Sequence, residues 1–129
     1  DAEVFRYRLP GRTWEVTSPN RTAELLTPAG FSTITGTASL ADAPVGFGYY
    51  ARTKLESYGG DDRRPRRIDD RTVDGVTGYV FEGVADGSLL YEYGAREDES
   101  LLVLTFEFPR DTPRARDWID AVLASGEWL

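Results

Sequence analysis

The chain has 129 residues, 40% of them hydrophobic, which is the composition of one globular domain with one core rather than of a disordered chain. It contains no cysteine, histidine or methionine, which excludes disulfides, thiolate nucleophiles, histidine bases and the usual zinc ligands. Its net charge of −7 disfavours general nucleic-acid binding, and no apolar run approaches the ~18 residues of a membrane span.

The N-terminal third has the two-residue period of half-buried strands. In VFRYRLP, Phe5, Tyr7 and Leu9 alternate with arginines, and TWEVTS repeats the pattern with Trp14 and Val16. A proline-glycine pair separates the two runs, so they are predicted to form a hairpin. Two further runs, TAELLTPAG and the β-branched FSTITGTASL, are also predicted to be strands.

A first helix is predicted over residues 44–58. Asp42 can cap it, Pro44 suits its first turn, and the glycine pair that follows Tyr58 supplies a stop. Its apolar face has helical spacing and consists of Phe47, Tyr50, Ala51, Leu55 and Tyr58.

From residue 71 the strand pattern returns and predicts an antiparallel meander of three or four strands. Asp74-Gly75 and Asp86-Gly87 are favoured hairpin turns, because a type I′ turn needs positive φ at both central residues. One face of the meander is predicted to carry Leu89, Tyr91, Tyr93, Ala95, Leu102, Leu104, Phe106 and Phe108.

The last element is predicted to be a helix over residues 113–125. Thr112 is expected to cap it, Pro113 to occupy its first position and Gly126 to end it. Its apolar stripe comprises Ala115, Trp118, Ile119, Val122 and Leu123. The sequence therefore predicts a single α+β domain over residues 1–129, with an antiparallel sheet of about six strands and two helices packed on it.

The most charged stretch, GGDDRRPRRIDDRTVDG at residues 59–75, holds five arginines and five aspartates. Its formal charge is zero, whereas nuclear-localisation and phosphate-binding patches need uncompensated charge. Pro65 keeps it extended, so it is predicted to be a solvated connector. The alternative is a contact with an acidic partner through Arg63, Arg64, Arg66 and Arg67.

The composition offers few side chains that are suited to catalysis. Without histidine, only a lysine or carboxylate could activate a hydroxyl, and Lys54 is expected to extend along the apolar face of the first helix. Glu92 with Glu82, or the acidic residues 97–99, could serve a glycosidase or a calcium site, but the spacing of a calcium loop is absent. We therefore predict a protein that is not an enzyme and has no metal or cofactor.

The tyrosines offer a different kind of site. Their apolar bodies and polar tips suit a ligand groove where a helix crosses the sheet, although strand spacing favours ordinary core. This ligand-binding or small-enzyme alternative depends on Tyr49, Tyr50, Tyr91 and Tyr93.

The order of elements and three local motifs resemble the PsbP-like fold, named for an extrinsic subunit of photosystem II. The motifs are the opening FRYRLPGRTWEVTS, the strand RTVDGVTGYVFEG, and LLVLTFEFP followed by DWIDAVLASGEW. They extend over nearly the whole chain. An NTF2-like fold is the competing interpretation, but it usually begins with helices, whereas this sequence opens on strands.

The resemblance implies a non-catalytic binding module with an unidentified protein partner. Bacterial members look like exported proteins and lipoproteins, including actinobacterial ones, and the arginine-rich composition fits that source. The absence of methionine and cysteine is compatible with a mature extracytoplasmic domain whose lipidated cysteine lies upstream of Asp1. Other members resemble cytosolic chaperones of secreted effectors, which implies a dimer with an apolar groove.

Overall fold

The computed structural model describes residues 3–9, 12–17, 20–27, 30–40, 47–58, 65–85, 88–97, 100–110, 112 and 114–129. Within these residues the elements, in chain order, are β1 (Glu3–Leu9), β2 (Arg12–Thr17), β3 (Asn20–Thr27), β4 (Gly30–Leu40), α1 (Phe47–Glu56), β5 (Arg66–Val73), β6 (Val76–Ala85), β7 (Ser88–Glu97), β8 (Ser100–Pro109), α2 (Ala115–Ala124) and β9 (Glu127–Trp128). Neither helix is long and apolar enough to cross a bilayer.

The strands form two antiparallel sheets. The larger has six strands in the order β3-β4-β8-β7-β6-β5, and the smaller has the order β2-β1-β9. The predicted α+β class and the six-stranded sheet are confirmed. The predicted N-terminal hairpin is also present, with Tyr7 opposite Trp14, but it belongs to the smaller sheet.

The meander β6-β7-β8 lies near the centre of the larger sheet and has the predicted alternation of faces. Tyr93 lies opposite Val80 on one side and Leu104 on the other, so apolar side chains of three strands share one face. The turn before β6 has φ of 48° at Asp74 and 83° at Gly75, as a type I′ turn requires.

The main core lies between this face and α2. Ile119, Val122 and Leu123 are buried against the meander, which confirms the apolar stripe of the second helix. Phe5 of β1 joins the same core and meets Trp128 edge to face, with ring centroids 5.5 Å apart. Because burial of each large apolar side chain stabilises by about 1.5–3 kcal/mol, this face provides most of the hydrophobic stabilisation that comes from the described side chains.

The other face of the sheet carries a smaller cluster under α1. Ala51 is buried there with Tyr79 and Phe81, and Leu55 and Tyr58 pack against them. These contacts confirm part of the predicted apolar face of the first helix. The helix begins at Phe47, and the predicted start at residues 44–46 lies outside the described residues.

The start of α2 differs from the prediction. The residue before the helix is Arg114, in the left-handed region at φ 59° and ψ 29°, and no side chain caps the helix. Thr112 instead donates its hydroxyl to the carbonyl oxygen of Pro109 at 2.7 Å, which closes the turn after β8. Pro113 lies outside the described residues, and Gly126 follows the helix end as predicted.

The predicted solvated connector is wrong for residues 66–73, which form the edge strand β5. Backbone hydrogen bonds to β6 hold this strand, so apolar alternation is not required for it to form. Its side chains at Arg66, Arg67, Asp69 and Asp70 are exposed, as charged residues commonly are on sheet edges. Residues 59–64 lie outside the described residues.

Candidate functional site

A small apolar cavity opens between α2 and the larger sheet, near the first turn of the helix. Its volume is about 130 Å³. The methyl group of Ala115 is the smallest side chain of the apolar stripe, and it leaves space where a larger one would contact the sheet. The wall includes Leu89, Leu90, Tyr91, Phe108 and Ile119, together with the charged residues Glu82 and Arg116.

Arg116 is the centre of a polar network on the wall of this cavity. Its Nη1 donates to Glu82 Oε1 at 2.9 Å, and its guanidinium lies 4.9 Å from the centroid of the Tyr91 ring. Its Nε also donates to Asp120 Oδ1 at 3.3 Å, and that oxygen accepts from Arg71 Nη1 at 2.7 Å. The network thus connects α2 to three strands of the sheet.

Neighbouring arginines shift the pKa of Asp120 in this network. The hydrogen bond from Arg71 lowers the pKa of Asp120 below its usual value, and the charges of Arg71 and Arg116 act in the same direction. The side chains of Arg116 and Glu82 are 49% and 44% exposed, so water weakens their ion pair.

A second polar cluster lies under α1, around the fully buried Glu92. Its Oε2 accepts a hydrogen bond from Tyr79 at 2.5 Å, and its Oε1 accepts from Tyr58 and, at 3.3 Å, from Thr105. The ammonium of Lys54 lies 3.6 Å from Oε1. We name these five residues the Glu92 cluster.

The Glu92 cluster follows from strand and helix periodicity. Glu92 stands between Tyr91 and Tyr93 in β7, so it faces α1 while both tyrosines face α2. Lys54 and Tyr58 are four residues apart, and the ammonium lies 5.1 Å from the centroid of the Tyr58 ring. Both side chains therefore reach the same carboxylate.

In the Glu92 cluster, the neighbouring side chains supply the hydrogen bonds and the positive charge that the buried carboxylate needs. Burial raises the pKa of Tyr58, and its hydrogen bond to the Glu92 carboxylate raises it further, so Tyr58 remains a protonated donor. Two phenols, one hydroxyl and one ammonium surround the carboxylate, as a buried charge requires. Among the residues that the structure describes, no group of three acidic side chains could hold a metal ion.

The pairing of Glu92 with Glu82 considered from sequence is wrong. Glu82 lies opposite Tyr91 and Phe81 lies opposite Glu92, so the two carboxylates point to opposite faces of the sheet. Sequence reasoning also missed the Glu92 cluster itself. The available signal was a lone glutamate between core tyrosines, together with a lysine and tyrosine at helical spacing in the first helix.

The sequence-predicted site residues are distributed over different parts of the fold. Arg66 and Arg67 are exposed on β5, whereas Arg63 and Arg64 lie outside the described residues. Tyr91 lines the cavity, and Tyr93 is buried on the same face with its hydroxyl bonded to the carbonyl oxygen of Val76 at 2.7 Å. Tyr49 and Tyr50 belong to α1, on the opposite face of the sheet, and their side chains are outside the described set.

No family model matches this sequence, and no curated protein matches it. The fold is similar to that of protein PA94 from Pseudomonas aeruginosa, a protein of unknown function described as a candidate regulator. The TM-score is 0.61 at 16% identity, over 93% of this chain and 94% of that one.

The fold is also similar to that of the cyanobacterial PsbP (CyanoP) from Synechocystis sp. PCC 6803. The TM-score is 0.55 at 12% identity, over 100% of this chain and 95% of that one. At these identities the likeness establishes fold alone, and it confirms the PsbP-like architecture.

Proposed function

We propose that this chain is a non-catalytic binding or accessory module of an exported protein or lipoprotein, which acts on a protein partner through its surface. The observation that carries this proposal is the state of Glu92, the one charged side chain that is fully buried among the described residues. Its oxygens already accept hydrogen bonds from Tyr58, Tyr79 and Thr105. A general acid or base needs an oxygen that can reach a substrate, and this arrangement favours a structural role.

The cavity beside α2 supports a protein partner over a free metabolite. Pockets for small ligands usually measure about 300–1,000 Å³. The 130 Å³ found here suits one apolar side chain. Arg116, at the wall, can meet a carboxylate next to that side chain, so we propose that the partner presents an apolar residue beside an acidic one.

The compartment is proposed from the family resemblance. Bacterial PsbP-like proteins look mostly like exported proteins and lipoproteins, and the PsbP-like architecture supports the same assignment here. The test is the mass and N-terminal sequence of the native protein in the membrane and soluble fractions of its source. A lipidated cysteine upstream of Asp1 supports the proposal, and an unprocessed cytosolic chain contradicts it.

A substitution that fills the cavity tests whether the partner binds there. Ala115→Phe places a ring in the space beside α2, whereas Ala124→Phe adds the same ring to the exposed side of the same helix. A photo-crosslinker at the exposed Asp117, next to Arg116, first identifies the partner, and binding of that purified partner is then measured to both variants. We expect loss of binding only with Ala115→Phe. Equal binding by both variants would contradict the assigned surface.

A further inference from the structure

The strand β5 is an edge of the larger sheet, and one part of its outer side is open. Near its end, the indole Nε1 of Trp128 donates to the carbonyl oxygen of Val73 at 3.2 Å, and the backbone N–H of Trp128 donates to Asp74 at 2.9 Å. In the part of the chain that the structure describes, no strand pairs with the outer side of residues 66–72. An open edge is a template for another strand.

The charges on this open segment are symmetric about Ile68. Arg66 and Arg67 precede it, and Asp69 and Asp70 follow it. All four charged side chains are exposed, whereas Ile68 is half-buried. An antiparallel copy of this segment, with Ile68 on the twofold axis, aligns Arg67 with Asp69 and Arg66 with Asp70 of the second copy.

We propose that β5 is a homodimer interface, in which two copies of this chain pair antiparallel through residues 66–70 and join their sheets. The twofold axis makes the contact isologous, so each of its two charge pairs occurs twice and the two β5 edges cover each other. Opposite charges directly across an antiparallel pair stabilise it, and like charges destabilise it. This interface adjoins the partner surface beside α2, since Arg66 lies directly opposite Glu82 on the cavity wall.

The arrangement of signs favours pairing over simple protection of an edge. Charges and bulges commonly block edge pairing, and β5 has both, since Asp69 and Asp70 together face one residue of β6. Charged side chains protect an edge strand from pairing whatever the order of their signs along the strand. Here an in-register parallel copy would place like charges together at every charged position, whereas an antiparallel copy places opposite charges together at each of them, which identifies an antiparallel second copy as the occupant.

One internal contact competes with the proposed pairing. Arg67 Nη2 lies 3.1 Å from Asp70 Oδ1 within the same chain, and both side chains are about half exposed. Because water screens such a pair, exchanging it for a contact across the interface changes the free energy little. Dimerisation is therefore expected to be weak, reversible and sensitive to salt.

The test is sedimentation equilibrium of the full chain at concentrations up to about 1 mM, which detects even weak association. Arg66→Asp/Arg67→Asp makes all four charges negative, and Asp69→Arg/Asp70→Arg makes all four positive. We expect each variant alone to associate at least about tenfold more weakly than the unmodified chain. Their equimolar mixture should form a heterodimer, and the chain with all four exchanges should dimerise as the unmodified chain does.

Circular dichroism establishes that each variant is folded. The chain with all four exchanges also keeps opposite charges at positions 67 and 70, so the ion pair within the chain is preserved in it. A further series in about 0.5 M salt should weaken the dimer, because the Debye length there is about 4 Å. The proposal is overturned if the unmodified chain stays monomeric throughout. It is equally overturned if the two reversed variants dimerise alone as well as the unmodified chain.

Discussion

The phenolic hydroxyl of Tyr58, just beyond α1, donates a hydrogen bond to Glu92, which is fully buried in the middle of β7. This bond crosses from the helix to the sheet on the face that has the smaller apolar cluster. This polar contact therefore attaches α1 to the sheet beside that apolar cluster.

We predict that Tyr58→Phe destabilises the protein by about 2 kcal/mol, because it removes a hydrogen bond to a buried charge. Tyr93→Phe is the matched comparison. Its hydroxyl donates to the neutral carbonyl of Val76, so the expected loss is about 1 kcal/mol. Urea denaturation of both variants measures the difference, and equal losses would mean that the charge of Glu92 adds nothing to the bond.

Glu92→Gln is predicted to destabilise by about 2 kcal/mol or more, because an uncharged amide attracts Lys54 less and presents a donor to the surrounding hydroxyls. The same substitution at Glu82 provides the control. Glu82 forms a half-exposed ion pair with Arg116, so we expect a loss below about 1 kcal/mol there. Thermal unfolding of both variants decides this, and a larger loss at Glu82 would contradict the assignment of the two faces.

The hydrogen bond from Arg71 makes the acid stability of the protein depend on Asp120. Its folded-state pKa is below the ordinary value of 3.8, so the stabilisation is present above that value and is lost as pH falls through the folded-state pKa. We expect Asp120→Asn to destabilise at neutral pH and to have a smaller effect near pH 3. Denaturant titrations at several pH values measure this, and an effect that is independent of pH would remove the ionic explanation.

Gly94→Ala is predicted to destabilise, because a Cβ at Gly94 would stand 2.2 Å from ring atoms of Tyr79, which lies opposite it in the sheet. We expect a loss of about 1–3 kcal/mol, since the buried ring has no free space. Gly48→Ala is the control in α1, where a Cβ meets nothing within 4 Å. It should stabilise by up to about 1 kcal/mol in the same unfolding assay.

Strand and helix periodicity predicted most of the fold. Apolar residues alternate along β7 and β8, and they form a stripe along α2. Each of these patterns predicts which face of its element is buried, and the core residues followed from them. The edge strand β5 did not follow, because backbone pairing to β6 holds it and its charged side chains carry no apolar period. The cap at Thr112 failed because the left-handed conformation of Arg114 delays the start of the helix.

The candidate sites were harder to predict than the fold. Tyr91 was identified, but the cavity beside it depends on Ala115 and Phe108, which come from elements distant in sequence. Glu92 and Lys54 were each noticed separately. Only the crossing of α1 over the sheet brings them together, and local periodicity contains no information on which face a helix covers.

The unequal packing on the two faces of the larger sheet also determines how the protein opens locally. Among the side chains that the structure describes, fifteen buried residues form the core on the α2 face, whereas three form the core under α1. Amide hydrogens in α1 should thus exchange with solvent earlier than those in α2, in a partial unfolding that leaves the meander intact. In that open form, Glu92 and two tyrosines become exposed to water, so the helix that we expect to open first is the one that covers the Glu92 cluster.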